Sequence, residues 1–327
     1  MSRFILRRLL GMVPFMALVS ITCFGLIKLP PGDFATNYAA SLAAGGETVS
    51  QATLLSMREQ YGLDRPFLVQ YWRWIDGVAH GNFGYSFQWQ QPVSTLIWGR
   101  MGLTLLLSLA ALLFTWAIAF PIGVYSAVHK YSVFDYVFTF LGMLGLAVPG
   151  FLLGLVLMYI GIAYFGEDLG GLFSHHYLNA PWSLGRVADL LRHIWVPMVI
   201  LGTSGAASLI RVMRANLLDQ LHQPYVETAR AKGLSEFTLL LRYPIRIALN
   251  PFVSTLGWVL PNLVSGSVII SIVLNLQTAG PLLLQALLSQ DQYLAGAFLL
   301  LLCLLTVIGT LVSDILLALL DPRIRMQ

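Results

Sequence analysis

The chain has 327 residues, of which 57% are hydrophobic and only 10% charged, and its formal net charge is +4. A soluble domain carries about a quarter charged residues, so this deficit excludes one large water-soluble core and points to a polytopic membrane protein. The positive balance comes without basic runs interleaved with aromatics, which leaves nucleic-acid binding without support.

Six stretches reach the roughly 20 apolar residues that a membrane-crossing helix needs: 9–29, 104–128, 134–165, 194–212, 251–276 and 294–320. The first follows Arg3, Arg7 and Arg8 in the manner of a secretory signal. Its apolar run exceeds the roughly 7–15 residues of a signal core, so it is expected to remain as a span. The third is too long for one straight crossing and predicts a tilt or kink, for which Pro149 offers the site. Gly150 and Gly154 form a small-xxx-small pair there, which reads as helix packing. Cys23 and Cys303 fall inside apolar stretches without metal-ligand spacing, and read as buried apolar thiols.

Placing the N-terminus in the cytoplasm gathers Arg3, Arg7, Arg8, Lys130, Arg211, Arg214, Arg230, Lys232, Arg242, Arg246, Arg323 and Arg325 on inner segments. The outer segments then hold Arg58, Arg65, Arg73, Arg100, Arg186 and Arg192, most of them in one long loop where the positive-inside rule is weak. Lys28, at the outer end of the first span, is expected to snorkel to the interface. The expectation is an all-α membrane protein with six transmembrane helices, both termini cytoplasmic, and a small external domain between helices 1 and 2. It divides into 1–29 (tail and first helix), 30–102 (external, periplasmic) and 103–327 (a core with helices 2–6 and an inner loop at 214–250).

In the external segment the chain turns at Tyr61-Gly62-Leu63-Asp64-Arg65-Pro66, and Pro66 suits the first turn of a new helix. Phe67, Tyr71, Trp74 and Val78 recur at helical spacing and give that helix one apolar face. The face either packs on the protein itself or docks an outside partner, and both readings stand at this stage. The second outer loop, 166–193, holds Glu167, Asp168, His175 and His176. Adjacent histidines point different ways, so a solvated loop is expected rather than a metal site.

The inner loop is the most informative stretch. From Gln223 to Glu236 it reads Gln-Pro-Tyr-Val-Glu-Thr-Ala-Arg-Ala-Lys-Gly-Leu-Ser-Glu. Pro224 fits a first helical position, Glu227 lies near the positive helix end, and Arg230 and Lys232 lie near the negative one. Gly233 supplies the stop and Ser235 a cap for the next helix. Ala229, Ala231 and Gly233 give the short helix a slim profile suited to a groove on a partner.

Glu227-Thr228-Ala229 followed by Gly233 resembles the EAA loop of ABC importer permeases, whose short coupling helix sits in a cleft of the ATPase subunit. Arg7-Arg8-Leu9-Leu10, Pro31-Gly32-Asp33, the Tyr61–Pro66 turn and Gln70-Tyr71 resemble the B-type subunit of the dipeptide/oligopeptide permease family. So do Phe83-Gly84-Tyr85-Ser86, Val148-Pro149-Gly150-Phe151 and the ending Leu320-Asp321-Pro322-Arg323-Ile324-Arg325. The resemblance covers nearly the whole chain. It implies a bacterial inner-membrane, multi-pass subunit working with a second permease, two ATPase subunits or domains, and an extracytoplasmic solute-binding protein. ATP and Mg would belong to those ATPases, with no cofactor in this chain. The residues it implies for ATPase coupling are Tyr225, Glu227, Thr228, Ala229, Arg230, Lys232 and Gly233.

One departure bears on the solute. Family members that move peptides carry a glutamate followed by a Trp-Pro-Gly turn in and after the fifth span. Here Ser271 stands where the acid is expected, and Leu276-Gln277-Thr278 replaces the turn. A carboxylate pairs with a peptide's ammonium group and a serine does not, so the pattern is closer to the oligosaccharide-importing branch. The expected cargo is an oligosaccharide or an oligopeptide.

Polar side chains inside spans face a cavity or another helix. Asn262, Ser267, Ser271 and Asn275 on the fifth span, with Ser204 and Ser208 on the fourth, are therefore the candidate translocation path. Asp314 and Arg211 lie at similar depth and are a candidate ion pair. No phosphate-cradling Gly-x-x-x-x-Gly-Lys-Ser/Thr motif occurs, so the chain is not expected to hydrolyse ATP, and no catalytic or metal-binding residues are assigned. The rival reading is an ion-driven secondary transporter of a polar solute, which calls for internal repeats and midplane charges that this sequence does not display.

Overall fold

The computed structural model describes residues 2–47, 49–178, 180–250, 252–255, 262 and 266–320. In chain order its helices are α1 (Ser2–Ile27), α2 (Phe34–Ala44), α3 (Gln51–Tyr61), α4 (Phe67–Ala79), α5 (Val93–Val128), α6 (Val133–Ala147) and α7 (Gly150–Ile160), which continues as a π-helical turn (Gly161–Phe165). There follow α8 (Leu184–His193), α9 (Trp195–Leu221), α10 (Pro224–Ala231), α11 (Glu236–Arg242), α12 (Pro244–Ala248), α13 (Val268–Val273), α14 (Ala279–Leu288) and α15 (Gln292–Leu320). Among the described residues no strand forms, and extended pairing is limited to a bridge between Tyr85 and Pro92.

Four of these helices, α1, α5, α9 and α15, are long and apolar enough to cross a membrane. The pair α6 and α7 passes the same test jointly but bends by 98° at its break. These elements stand where five of the six spans were expected. The remaining one, 251–276, falls largely outside the described residues; its described part includes α13. The kink expected at Pro149 is thus a near right-angle break. Proline there has no N–H to give and pushes Val148 out of the helical region, to φ −87 and ψ 120. α5 begins at Val93, inside the segment read as external, and its 36 residues make it about 54 Å long, well beyond the ~30 Å hydrocarbon core. Likewise α9 runs on to Leu221 rather than stopping near 212.

The chain forms two compact units, one made of Leu6–Thr104 with Thr278–Leu305 and the other centred on Leu105–Gln277. In the first, the predicted helix after Pro66 is α4, and Pro66 occupies its N-cap rather than its first turn. Phe24 of α1 packs against Phe67, Tyr71 and Trp74, with ring centroids 5.7, 5.7 and 5.3 Å apart. Val78, Tyr293 and Leu300 pack on the same cluster. The face of α4 that carries Phe67, Tyr71, Trp74 and Val78 therefore packs inside its own unit, as the first of the two readings has it. Tyr71 Oη and Ser20 Oγ share a 2.7 Å hydrogen bond, and the amide of Gln70 donates to the carbonyls of Leu63 and Arg65 while accepting from Lys28 Nζ. Lys28 thus has a partner within the unit.

Two carboxylates lock the loops of this unit. Asp33 caps α2 by accepting from the Thr36 N–H, and Arg58 Nε of α3 donates to it at 2.7 Å. Burial pushes Asp33 up, but the Thr36 N–H and the Arg58 guanidinium outweigh it and leave the group below the ordinary carboxylate range. Asp291, fully buried, accepts from Ser86 Oγ at 2.6 Å, from the Gln88 N–H at 3.1 Å and from the Leu294 N–H at 3.2 Å. It therefore caps α15 and holds the 84–92 loop at once. Gly84 explains its own place in the Phe83–Ser86 motif: with φ +84, an added Cβ would lie 2.9 Å from the Tyr293 ring.

In the other unit Ala119 and Ala127 of α5, Met213 and Leu217 of α9, and Ile245 and Ala248 of α12 bury together with Phe252. Close approach rests on small residues: an added Cβ on Gly123 would lie 2.6 Å from Met213 Cβ, and one on Gly145 3.2 Å from Thr203 Cγ2. Gly150 and Gly154 do the packing read from their spacing, against Ile200, Ile270 and Leu274. At the start of α6, Asp135 receives a two-pronged contact from Arg214 of α9, at 2.9 and 2.8 Å.

Candidate coupling hairpin and cavity on one helix

Pro224 opens α10 at its first position, Glu227 lies in the first turn and Arg230 in the last. Gly233 follows with φ +76, a left-handed conformation that ends the helix and that side chains with a Cβ resist. Ser235 then precedes α11 at its N-cap position. The signals on Pro224, Glu227, Arg230 and Gly233 are placed where they were expected, whereas the Ser235 hydroxyl donates to Thr238 Oγ1 instead of capping α11.

The face presented by α10 differs from the slim alanine profile. Val226 and Ala229 are buried against Leu239 of α11, with Tyr225, Leu234 and Tyr243 around them. The exposed side consists of Glu227, Thr228, Arg230, Ala231, Lys232 and Gly233. Ala229 thus joins the hairpin's own small core, because α11 folds back on the side of α10 where Ala229 lies. Arg230 reaches α11 and donates from Nε to Glu236 Oε1 at 2.6 Å and from Nη2 to Oε2 at 3.2 Å. That pairing raises the Arg230 guanidinium and lowers the Glu236 carboxyl relative to their ordinary values. Tyr225 Oη donates to Gln220 Oε1 at 2.8 Å, tying the start of α10 to the end of α9.

Of the candidate path residues, three come together. Ser204 and Ser208 of α9 and Asn262 line a cavity of about 400 Å³, along with Thr115 of α5, Thr255 and apolar side chains that include Ile200 and Ile270. Among the described residues no Asp, Glu, Lys, Arg or His lines it. Ser267 and Ser271 are buried away from this cavity, with backbone bonds from Ser271 N to Ser267 O and from Leu276 N to Ser271 O, each 2.7 Å. Asn275, at φ +51, occupies the left-handed position that stops α13, a role asparagine tolerates. Thr115 and Thr255 were not singled out in the sequence. Their hydroxyls donate to the Gly202 and Phe252 carbonyls, which leaves oxygen lone pairs for a solute. A lone threonine in an apolar run carries no signal of the face it will occupy.

Arg214 of α9 pairs with Asp135 of α6, a contact not anticipated from the sequence. The signal for Asp135 was present: Ser132 three residues ahead makes a Ser-x-x-Asp helix start, and the Asp135 N–H donates to Ser132 Oγ. Among the described residues no three His, Cys, Asp or Glu converge on a metal position. In the 166–193 loop Arg186 stacks on Phe173 and Trp182, each at 4.6 Å, and holds the Leu178 and Ala180 carbonyls.

Several membrane-length helices, two of which line a largely apolar cavity edged by hydroxyl and amide side chains, define a multi-pass membrane protein. The comparison with known proteins makes this specific: the chain belongs to the binding-protein-dependent transport system inner membrane components, matching that family over residues 119–326. Residues 1–110 match the corresponding N-terminal family of such membrane components. The chain is similar to the oligopeptide transport system permease protein AppB of Bacillus subtilis, 35% identical over 326 residues and 99% of both chains. It is also similar to the glutathione transport system permease protein GsiC of Salmonella typhi, 35% identical over 327 residues and 99% of both chains. It is a permease subunit of the inner membrane, not an enzyme.

Proposed function

We propose that this subunit forms half of a translocation path for an oligopeptide or oligosaccharide, and that its α10–α12 hairpin takes the stroke of a partner ATPase. The supporting observation is that one helix carries both parts. Ser204 and Ser208 line the cavity, Met213 and Leu217 bury against α12, and Gln220 holds Tyr225 of α10, all on α9. From Ser208 to Leu217 is about 13.5 Å of rigid helix. A push on the exposed side of α10 would pass to α9 through the Tyr225–Gln220 hydrogen bond and the α12 packing, and along α9 to the cavity wall. In this reading both termini and the hairpin are cytoplasmic, 30–92 lies outside, and a second permease, two ATPases holding ATP and Mg, and a solute-binding protein complete the importer. The basic residues gathered on the inner segments support that orientation.

The relatives named for oligopeptide and glutathione transport support a peptide solute. Ser271 in place of the expected acid argued for sugar, but its burial removes it from solute contact in this conformation. The chargeless cavity suits any neutral polar segment of either class. The test is ATP-dependent uptake in cells carrying Gly233→Pro. We expect normal membrane insertion and no uptake; normal uptake would overturn the coupling assignment.

A further inference from the structure

A second cavity, of about 510 Å³, lies in the unit that contains α2, the 84–92 loop and α14. We propose that it is a carbohydrate site, a stacking platform for a neutral hexose ring of an oligosaccharide. The inference names a solute class for the transport reading above and rests on it. Phe34, Tyr38 and Trp89 supply rings, and Asn37, Gln88 and Gln285 supply side-chain amides. Phe34 and Tyr38 stack with centroids 5.9 Å apart and planes at 22°, so the buried Phe34 backs the exposed Tyr38. A pyranose has an apolar C–H face that packs on such rings and hydroxyls around its edge that both donate and accept. Each amide offers donors and an acceptor together, and none of the three spends its side chain on a hydrogen bond elsewhere in the described structure.

Among the described residues no Asp, Glu, Lys, Arg or His lines the cavity, so the charged termini of a peptide would be desolvated there without a counter-charge. The volume falls within the range of about 300–1,000 Å³ typical of small-molecule sites. The platform is also held in place beforehand. Asp291 accepts from the Gln88 N–H, and Ser86 Oγ accepts from the Trp89 N–H at 3.1 Å, so the clamp on the loop fixes the backbone at two of the nine lining residues. Pre-fixed groups lose less entropy on binding.

The full chain in lipid nanodiscs tests this by saturation-transfer NMR with maltotriose, cellotriose and, as the peptide arm, trialanine. We expect transfer to the ring protons of a trisaccharide, with affinity roughly tenfold weaker in Trp89→Ala, the loss of one stacking contact, and an intermediate value in Trp89→Phe. Absence of transfer to both sugars, transfer that Trp89→Ala leaves unchanged, or trialanine binding as strongly as the sugars would each overturn the proposal. Binding is read here without any ATPase, so its failure leaves the importer reading standing. Conversely, normal uptake in Gly233→Pro would sink the coupling assignment while leaving the binding result intact.

Discussion

At Gly233 nothing lies within 4 Å of where a Cβ would sit, so steric crowding plays no part in its requirement. The backbone at φ +76 is the whole constraint. Asparagine tolerates that region and valine does not. Gly233→Asn should therefore keep most uptake while Gly233→Val loses it, with both proteins inserted in the membrane at normal levels. Equal uptake by the two would remove the conformational argument. The Arg230–Glu236 pair invites a different test. If Arg230 serves to brace the hairpin, exchanging the two as Arg230→Glu with Glu236→Arg should recover uptake lost in either single variant. No recovery would mean that Arg230 is needed for its own exposed charge. The Glu236 carboxyl is lowered by its partner, so the brace is present above the ordinary value of 4.5 and is lost only as pH falls through the lower folded value.

At the scale of elements, two carboxylates make opposite predictions. Asp135 joins α6 to α9 with its side chain 3% exposed, and removing Arg214 strands a buried charge. Arg214→Met alone should cost about 3–5 kcal/mol, while Asp135→Leu with Arg214→Met should be close to neutral. Thermal unfolding in detergent separates the cases, and additive losses would refute the pairing argument. Asp291 is pushed up by burial. A carboxyl with a raised folded value favours the folded state at low pH, and that contribution is lost as pH rises through the folded value. The unit it closes should thus gain thermal stability on mild acidification, and Asp291→Asn should flatten that dependence. An unchanged profile in the variant would assign the pH effect to another group.

Element identity was readable wherever the signal is local. Pro224 and Gly233 mark the ends of α10, Pro149 marks the α6–α7 break, and the Phe67–Val78 face marks α4. What escaped reading depends on which residues meet in space. The family motif at Phe83–Ser86 gained a physical meaning only when Ser86 met Asp291, 205 positions later. Ser208 and Ser271 look alike in sequence, each a hydroxyl in an apolar run, yet one faces a cavity and the other is buried. The 3.6-residue period fixes relative faces within a helix and not what each face meets.

For the whole molecule, the decisive measurement is uptake of labelled oligopeptides and oligosaccharides by cells with and without the gene. Loss of oligosaccharide uptake alone would join the three-ring cavity to the transport cycle. Loss of peptide uptake alone would leave the permease assignment intact and tie the solute to the chemistry of its relatives.

The Asp291 clamp also bears on how the chain is made. Phe24 can meet Tyr71 and Trp74 soon after α4 has left the ribosome, so the first aromatic contacts form early in synthesis. The Ser86 hydroxyl and the Gln88 N–H must wait for Asp291, immediately ahead of α15. Until then the 84–92 loop rests on its own internal bonds, on the Gln90–Tyr61 hydrogen bond and on Phe87 against Phe34 and Tyr61. A chain that stops short of Asp291 would therefore leave the Ser86 hydroxyl and the Gln88 N–H without their shared acceptor.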